Sequence, residues 1–194
     1  MISQSKIQDK RKEILSAALK LFVEYGFHGT PTSKIAAEAG VANGTLFHYY
    51  KTKEDLVIVL YNDIKQELNS FILSKTSCSE SLETKFKTMF IHTIYWALDN
   101  REKFYYIQQF HFSPHLAKIS PETIDEQSTC HTRLIEAGIN AKLLKQLPVE
   151  FLLTVVSSHV FGIYQYLTKV GYSEAKQKKV IEDAYEMLWD MISN

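Results

Sequence analysis

Glycine and proline are scarce in this chain: seven and four among 194 residues. With so few of the residues that interrupt helices, long helices are possible over most of the length. Cysteine is scarcer still. Cys78 and Cys130 lie far apart, which excludes a disulfide framework and fits a reducing compartment. No run reaches the ~18 uncharged apolar residues of a membrane-spanning helix. The opening MISQSKIQDKRKE is polar and charged and lacks the apolar core of a signal peptide. A cytoplasmic protein with no membrane partner is therefore expected. The chain also lacks a P-loop, a dinucleotide glycine motif, a nucleophile elbow and an H-E-x-x-H pair. His111 and His115 are separated by the helix-breaking Pro114, and the adjacent Cys130 and His131 diverge on a helix. No metal, no cofactor and no enzymatic activity are expected.

The formal net charge is zero, but it is unevenly spread. Residues 1–53 hold eight bases (Lys6, Lys10, Arg11, Lys12, Lys20, Lys34, Lys51, Lys53) against four acids (Asp9, Glu13, Glu24, Glu38). The remainder is acidic by the same margin. A basic N-terminal quarter on an acidic body points to a polyanion-binding head, although ordinary charge scatter gives the same numbers.

The pattern predicts an all-α protein. Ile14, Ala17, Ala18, Leu21, Phe22 and Tyr25 form one apolar stripe over residues 6–25, and Gly26 ends that helix. Thr30-Pro31 reads as the capped start of a second, with Ile35, Ala36 and Ala39 inward and Gly40 as the stop. After the corner Gly40-Val41-Ala42 a third short helix covers 43–50. A fourth opens at Thr52 with Asp55 as an acidic capping box. Longer helices follow at about 53–75, 80–99, 101–113, 121–137, 148–170 and 173–192, parted by breakers such as Ser113-Pro114, Ser120-Pro121 and Gly138 to Pro148. The expected boundary lies near residue 52, giving a head (1–52) and a body (53–194).

Two short helices joined by a three-residue corner make a helix-turn-helix. That explains the composition of GVANGTLFHYYKTKEDL. The start of the second helix enters the DNA major groove and must be small and polar, as Asn43, Gly44 and Thr45 are. Leu46 and Tyr50, four apart, should turn inward. Phe47, His48 and Tyr49 are left for the groove wall and the phosphates. The helix starts at Thr30 and Thr52 favour anions, with Lys53 adding its charge.

The run G-F-H-G-T-P-T-S-K-I-A-A-E-A-G-V-A-N-G-T-L-F-H-Y-Y-K-T-K-E-D-L closely resembles the N-terminal domain of TetR-type transcriptional regulators. The resemblance covers roughly residues 6–60; the rest matches in style, as a bundle of long helices. It implies DNA contacts from Thr30, Thr32, Ser33 and Lys34 on the second helix, from Asn43, Gly44, Thr45, Phe47, His48 and Tyr49 on the third, and from Lys53. Two positions depart from the pattern. Ala42 stands where a capping serine or threonine is usual, which offers Asn43 as the alternative cap. Phe47 replaces the usual tyrosine and loses its phosphate-binding hydroxyl.

The resemblance also implies a small-molecule effector, a homodimer and a double-stranded operator. The aromatic-rich stretches 94–98 and 103–112 supply candidate effector-binding residues His92, Tyr95, Trp96, Tyr106, Phe110 and His111, although such stripes are as readily core. With no concentrated positive patch near them in the sequence, a bulky apolar or cationic effector is expected. For a two-fold interface from the last two helices the candidates are Phe151, Val155, Ser158, Gly162 and Tyr166, with Ala184, Met187, Leu188 and Met191. The expected function is a repressor released by its effector. The alternatives left open are an activator and a helical adaptor.

Overall fold

The computed structural model describes residues 2–118 and 121–194, with side chains placed from residue 9 onward except 119–129. The Lys6 side chain and the breaker at Ser120 lie outside this set. Among the described residues there are nine α-helices, a single 3-10 turn (Leu116–Lys118) and no strand. The helices are α1 (Ile2–Gly29), α2 (Thr32–Glu38), α3 (Asn43–Tyr49), α4 (Lys53–Lys75), α5 (Leu82–Asp99), α6 (Arg101–His111), α7 (Pro121–Asn140), α8 (Val149–Lys169) and α9 (Glu174–Ile192). They group into two compact units. The first comprises Met1–Gln66 and Arg101–Pro121, and the second Glu67–Asn100 and Glu122–Asn194. The boundary expected near residue 52 thus falls inside the first unit, which also takes in the start of α4 and all of α6.

The first unit is built on α1. Ile14, Ala18 and Phe22 are fully buried on its inner stripe, as their spacing requires. Gly26, at φ 73° and ψ 169°, interrupts the helix there as expected, in a conformation costly for any residue with a Cβ, and a short helical turn follows to Gly29. The break strands carbonyls at the end of α1. Thr30 answers them, its hydroxyl donating to Gly26 O at 2.8 Å and Leu21 O at 3.0 Å. α6 packs on α1 through aromatic rings: Tyr106 meets Phe27 edge-on at 5.5 Å and Phe22 at 6.2 Å. The Tyr106 hydroxyl donates to Val57 O in α4 at 2.9 Å, so this buried polar group is satisfied by the spare lone pair of a helix carbonyl. α4 opens with the expected capping box. Thr52 N donates to the Asp55 carboxylate and Asp55 N to the Thr52 hydroxyl, both at 3.0 Å.

His115, just past α6, is buried against Phe27 (ring centroids 5.3 Å apart), and its Nδ1 has no partner among the described residues. Its pKa is lowered by desolvation first, then by Lys118, with Glu54 opposing and His28 and Lys53 adding to the fall. The unfolded chain therefore binds this proton more readily than the folded one, so the stability due to neutral His115 is full above the unfolded value of 6.5 and is lost as pH falls below it. The melting temperature should drop between about pH 7 and about pH 5. His115→Phe should flatten that slope; a slope unchanged in the variant would remove His115 as its source.

The second unit has a ring core of Phe90, Tyr185, Trp189 and Phe86, with neighbouring centroids 5.8–5.9 Å apart. His159 on α8 reaches Ala184 O on α9 at 2.9 Å. α7 runs to Asn140, past the expected stop at Gly138. The reason is packing: Leu144, fully buried, folds back over the bare Gly138, where an added Cβ would lie 2.8 Å from the Leu144 Cγ and Cδ1 and 3.1 Å from the Phe86 ring. The loop is then tied to the far end of the chain by Lys145 N to Ile192 O (2.9 Å), Asn194 N to Leu143 O (3.1 Å) and the Asn194 amide to Lys142 O (2.7 Å). Replacing Gly138 by Ala gains ~1 kcal/mol of helix propensity but overpacks a sealed site at ~1–3 kcal/mol. Chemical denaturation should show a net loss of roughly 1 kcal/mol, and a stabilised variant would mean that Leu144 relaxes freely.

Candidate nucleic-acid interface

The interface is set by which side of α3 faces inward. Leu46 (0 % exposed) and Tyr50 (4 % exposed) turn into the first unit with Ile35 and Ala36 of α2. On a helical period that leaves Asn43, Gly44, Phe47 and His48 exposed, with Thr45 and Tyr49 half-buried. Gly40 makes the corner between α2 and α3 at φ 65°, in the left-handed region that favours glycine. Val41 N then donates back to Ala36 O at 2.9 Å.

α3 starts without a side-chain cap. The cap position is Ala42, in extended conformation, and Asn43 is the first helical residue rather than the alternative cap. The side chains of Asn43 and Thr45 make no hydrogen bond among the described residues, so both keep their hydrogen-bonding capacity for an outside partner. The His48 and Tyr49 rings meet edge-on at 5.6 Å, which fixes them beside that start.

α2 contributes Ser33 and Lys34 at the surface and Thr32 half-buried. The Lys34 ammonium lies 3.4 Å from the centroid of the Tyr25 ring on α1, a cation–π contact that holds the charge in place without neutralising it. Lys20 and Glu38 join α1 to α2 at 2.6 Å. Both are exposed, so the pair orients the helices more than it stabilises them. The Arg11 guanidinium reaches both Asp63 oxygens at 3.3 Å, linking α1 to α4. Lys53 is half-buried at the start of α4, and Lys51 is exposed just before it.

Thr30 does not belong to this surface. It is fully buried and its hydroxyl is spent on α1 carbonyls, so it neither caps α2, whose cap position is Pro31, nor reaches a phosphate. The sequence could not separate these roles, because a threonine before proline reads as a cap until the break at Gly26 is known.

The other candidate sets divide similarly. Tyr106 and Phe110 are 0 % exposed in the core of the first unit, and Trp96 is 3 % exposed in the second. These three are packing residues and present no free surface to an effector. His92 and Tyr95 are half-buried on α5, 6.3 Å apart, and His111 is exposed at the end of α6. Ala184 and Leu188 are likewise buried (3 % and 2 % exposed) and are excluded from a subunit interface. Phe151, Tyr166, Met187 and Met191 are exposed large apolar side chains, with Ser158 and Gly162 also exposed and Val155 half-buried. A shallow open hollow of about 440 Å³ between α1 and α2 is lined by Lys12, Glu13, Ser16, Lys20 and Glu38. It contains none of the expected effector residues, and two of its four charged groups, Lys20 and Glu38, pair with each other.

Comparison with known proteins agrees with this geometry. The family model of bacterial regulatory proteins of the tetR family matches residues 14–60, and that of the Tetracyclin repressor-like C-terminal domain matches residues 61–194. The Fatty acid metabolism regulator protein of Bacillus subtilis (strain 168) is 43% identical over 63 residues, 32% of this chain and 31% of its own length. The HTH-type transcriptional regulator RutR of Escherichia coli (strain K12) is 45% identical over 58 residues, 30% of this chain and 27% of its own. The chain therefore matches less than a third of the length of these curated relatives. A solved structure described as a tetR family transcription regulator from Shewanella sp. PV-4 superposes with a TM-score of 0.88 at 28% identity, covering 95% of this chain and 98% of that one. With both family models matched across residues 14–194 and an exposed, uncapped α3 behind a glycine corner, this chain belongs to the TetR family of transcriptional regulators and carries its DNA-binding helix-turn-helix.

Proposed function

We propose that the protein is a transcriptional repressor that binds an inverted-repeat operator as a homodimer and is released by a small-molecule effector. The observation that carries this reading is the start of α3: Asn43 and Gly44 exposed, Thr45 half-buried, and no cap consuming their polar groups. Such a helix start is suited to base edges. Phe47, with no hydroxyl, makes an apolar contact, for which a thymine methyl is the fitting partner. Ser33, Lys34, Tyr49 and Lys53 hold the phosphates, and Thr32 and His48 assist at the groove edge. In this reading the operator-reading head ends near residue 52, and the helices that follow carry effector and dimer functions.

The dimer reading is supported by the exposed apolar side chains of α8 and α9. Phe151 (53 % exposed), Tyr166, Met187 (66 % exposed) and Met191 are large for solvent, and exposed Gly162 and Ser158 permit close helix approach. Two heads on one dimer land on two half-sites about one helical turn or a multiple apart. An effector that prefers a body shape with another head separation weakens DNA binding by linkage. Within the second unit, His92 and Tyr95 are the remaining polar candidates for its site; His111 is a separate candidate in the first.

The test is selection of bound duplexes from a random pool at near-physiological salt. An inverted repeat is the expected result. No enrichment by a folded dimer would overturn the repressor reading in favour of a protein-binding adaptor. Asn43→Ala and Thr45→Ala should each cost ~1–3 kcal/mol on the selected site and relax preference at one position of each half-site. Lys53→Ala should instead weaken binding to all sequences alike and reduce the salt slope by about one. Sequence-selective loss in the Lys53 variant would reverse its assigned role.

A further inference from the structure

The first unit buries one ionisable side chain at the joint that leads into α2. His115 is 8 % exposed, and its Nδ1 is enclosed with no partner among the described residues. Its ring lies edge-on to Phe27 at 5.3 Å, with the Phe110 ring beyond at 6.5 Å. The local backbone holds it there. The Ser113 hydroxyl donates to Phe110 O at 2.8 Å and accepts from His115 N at 3.3 Å, and Lys118 N donates to His115 O at 3.0 Å. Phe27 is the first residue after the break at Gly26, and it also packs on Phe22 at 5.4 Å and Tyr106 at 5.5 Å. Three residues on, Thr30 is bonded back to Gly26 O and Leu21 O, and Pro31 opens α2. His115 therefore closes one side of the ring cluster that fixes where α2 departs from α1.

The surroundings make this imidazole a poor place for a proton. Desolvation opposes the charged form most. Lys118 from the turn that follows, His28 from α1 and Lys53 from α4 oppose it too, and Glu54 from α4 alone favours it. A buried imidazolium with an unmet donor in a net positive setting is relieved by turning out to water.

We propose that His115 is a pH-sensitive latch on operator binding: neutral, it holds Phe27 and the α1–α2 joint in the DNA-binding arrangement; protonated, it leaves the ring cluster and loosens that joint. The proposal rests on the operator-binding reading above. The sign follows from the lowered proton affinity of the latched ring. The latch is strongest above the free histidine value of 6.5 and weakens as pH falls below it, by no more than about tenfold at about pH 5.5. The exposed His48 works the other way, since its protonation adds positive charge at the DNA face.

The test measures the operator affinity of the full chain from about pH 7.5 to about pH 5.5, well below the melting temperature, on the duplex selected from the random pool. Wild type should lose roughly threefold to tenfold over that range. His115→Phe keeps a ring at the site and cannot titrate; it should match wild type at the upper pH and show no such loss. Amide exchange of the free protein, corrected for the intrinsic effect of pH, should show residues 26–36 losing protection at the lower pH in wild type alone. NMR titration of the wild-type His115 ring, which needs no variant to fold, should give a midpoint below 6.5. Equal pH profiles of binding in wild type and variant, protection over 26–36 that ignores pH, or a His115 midpoint at or above 6.5 would each overturn the latch. The two readings fail separately. A protein whose 26–36 segment loosens with pH yet selects no duplex keeps the proton-driven loosening of the joint and defeats the operator reading. Binding to a selected inverted repeat with the same pH profile in both proteins defeats the latch alone.

Discussion

The first unit depends on one buried hydroxyl. Tyr106 carries a polar atom to the centre of an aromatic cluster and can stay there only because Val57 O accepts from it at 2.9 Å. An unpaired hydroxyl in that position would cost ~1–3 kcal/mol. With the bond made, α6 is locked to α4, and Phe22 and Phe27 of α1 pack on the same ring. That is why residues 101–121 cluster with the N-terminal helices rather than with the long helices that surround them in sequence. The helix on which α2 packs, α1, is consequently held by rings of α6, which is in turn bonded to the opening of α4.

The charge pattern sits on this frame with little help from ion pairs. Lys20–Glu38 and Arg11–Asp63 are exposed and act as guides for helix orientation. Of the acids at the head, Glu38 is drawn into such a pair and Asp55, just beyond it, into the capping box, while Lys34, Lys51 and Lys53 form no ion pair among the described residues. Lys34 is steadied by the neutral Tyr25 ring. The arrangement leaves positive charge unneutralised on the side where the uncapped helix emerges, which is what steers a polyanion toward it.

Much of this was legible in the sequence wherever one residue's role follows from its neighbours. Leu46 and Tyr50 are four apart on a short helix and face inward as expected, and Thr52 with Asp55 forms the reciprocal cap that its spacing announces. Where the reading failed, the deciding fact was tertiary. Thr30 looks like a cap, yet the break at Gly26 makes carbonyls its nearest need. Ala184 and Leu188 share a periodic stripe with Met187 and Met191 closely enough that periodicity cannot say which side meets the core of its own chain. Tyr106 and Phe110 belong to an aromatic run, and composition alone does not distinguish a ligand wall from a packed interior. Gly138 looks like a stop but marks a close approach of Leu144.

The free start of α3 has a consequence for how such a protein diverges. Asn43 and Thr45 have no side-chain bonds to the rest of the fold, and Gly44 has open space around it. Changes at these positions therefore leave caps and buried hydrogen bonds untouched, and at the exposed Asn43 and Gly44 they leave packing untouched as well. The fold places little constraint on them, so in the proposed reading lineages can exchange one operator for another by drift at the helix start while the scaffold stays fixed. In this architecture the address can be rewritten without rebuilding the reader.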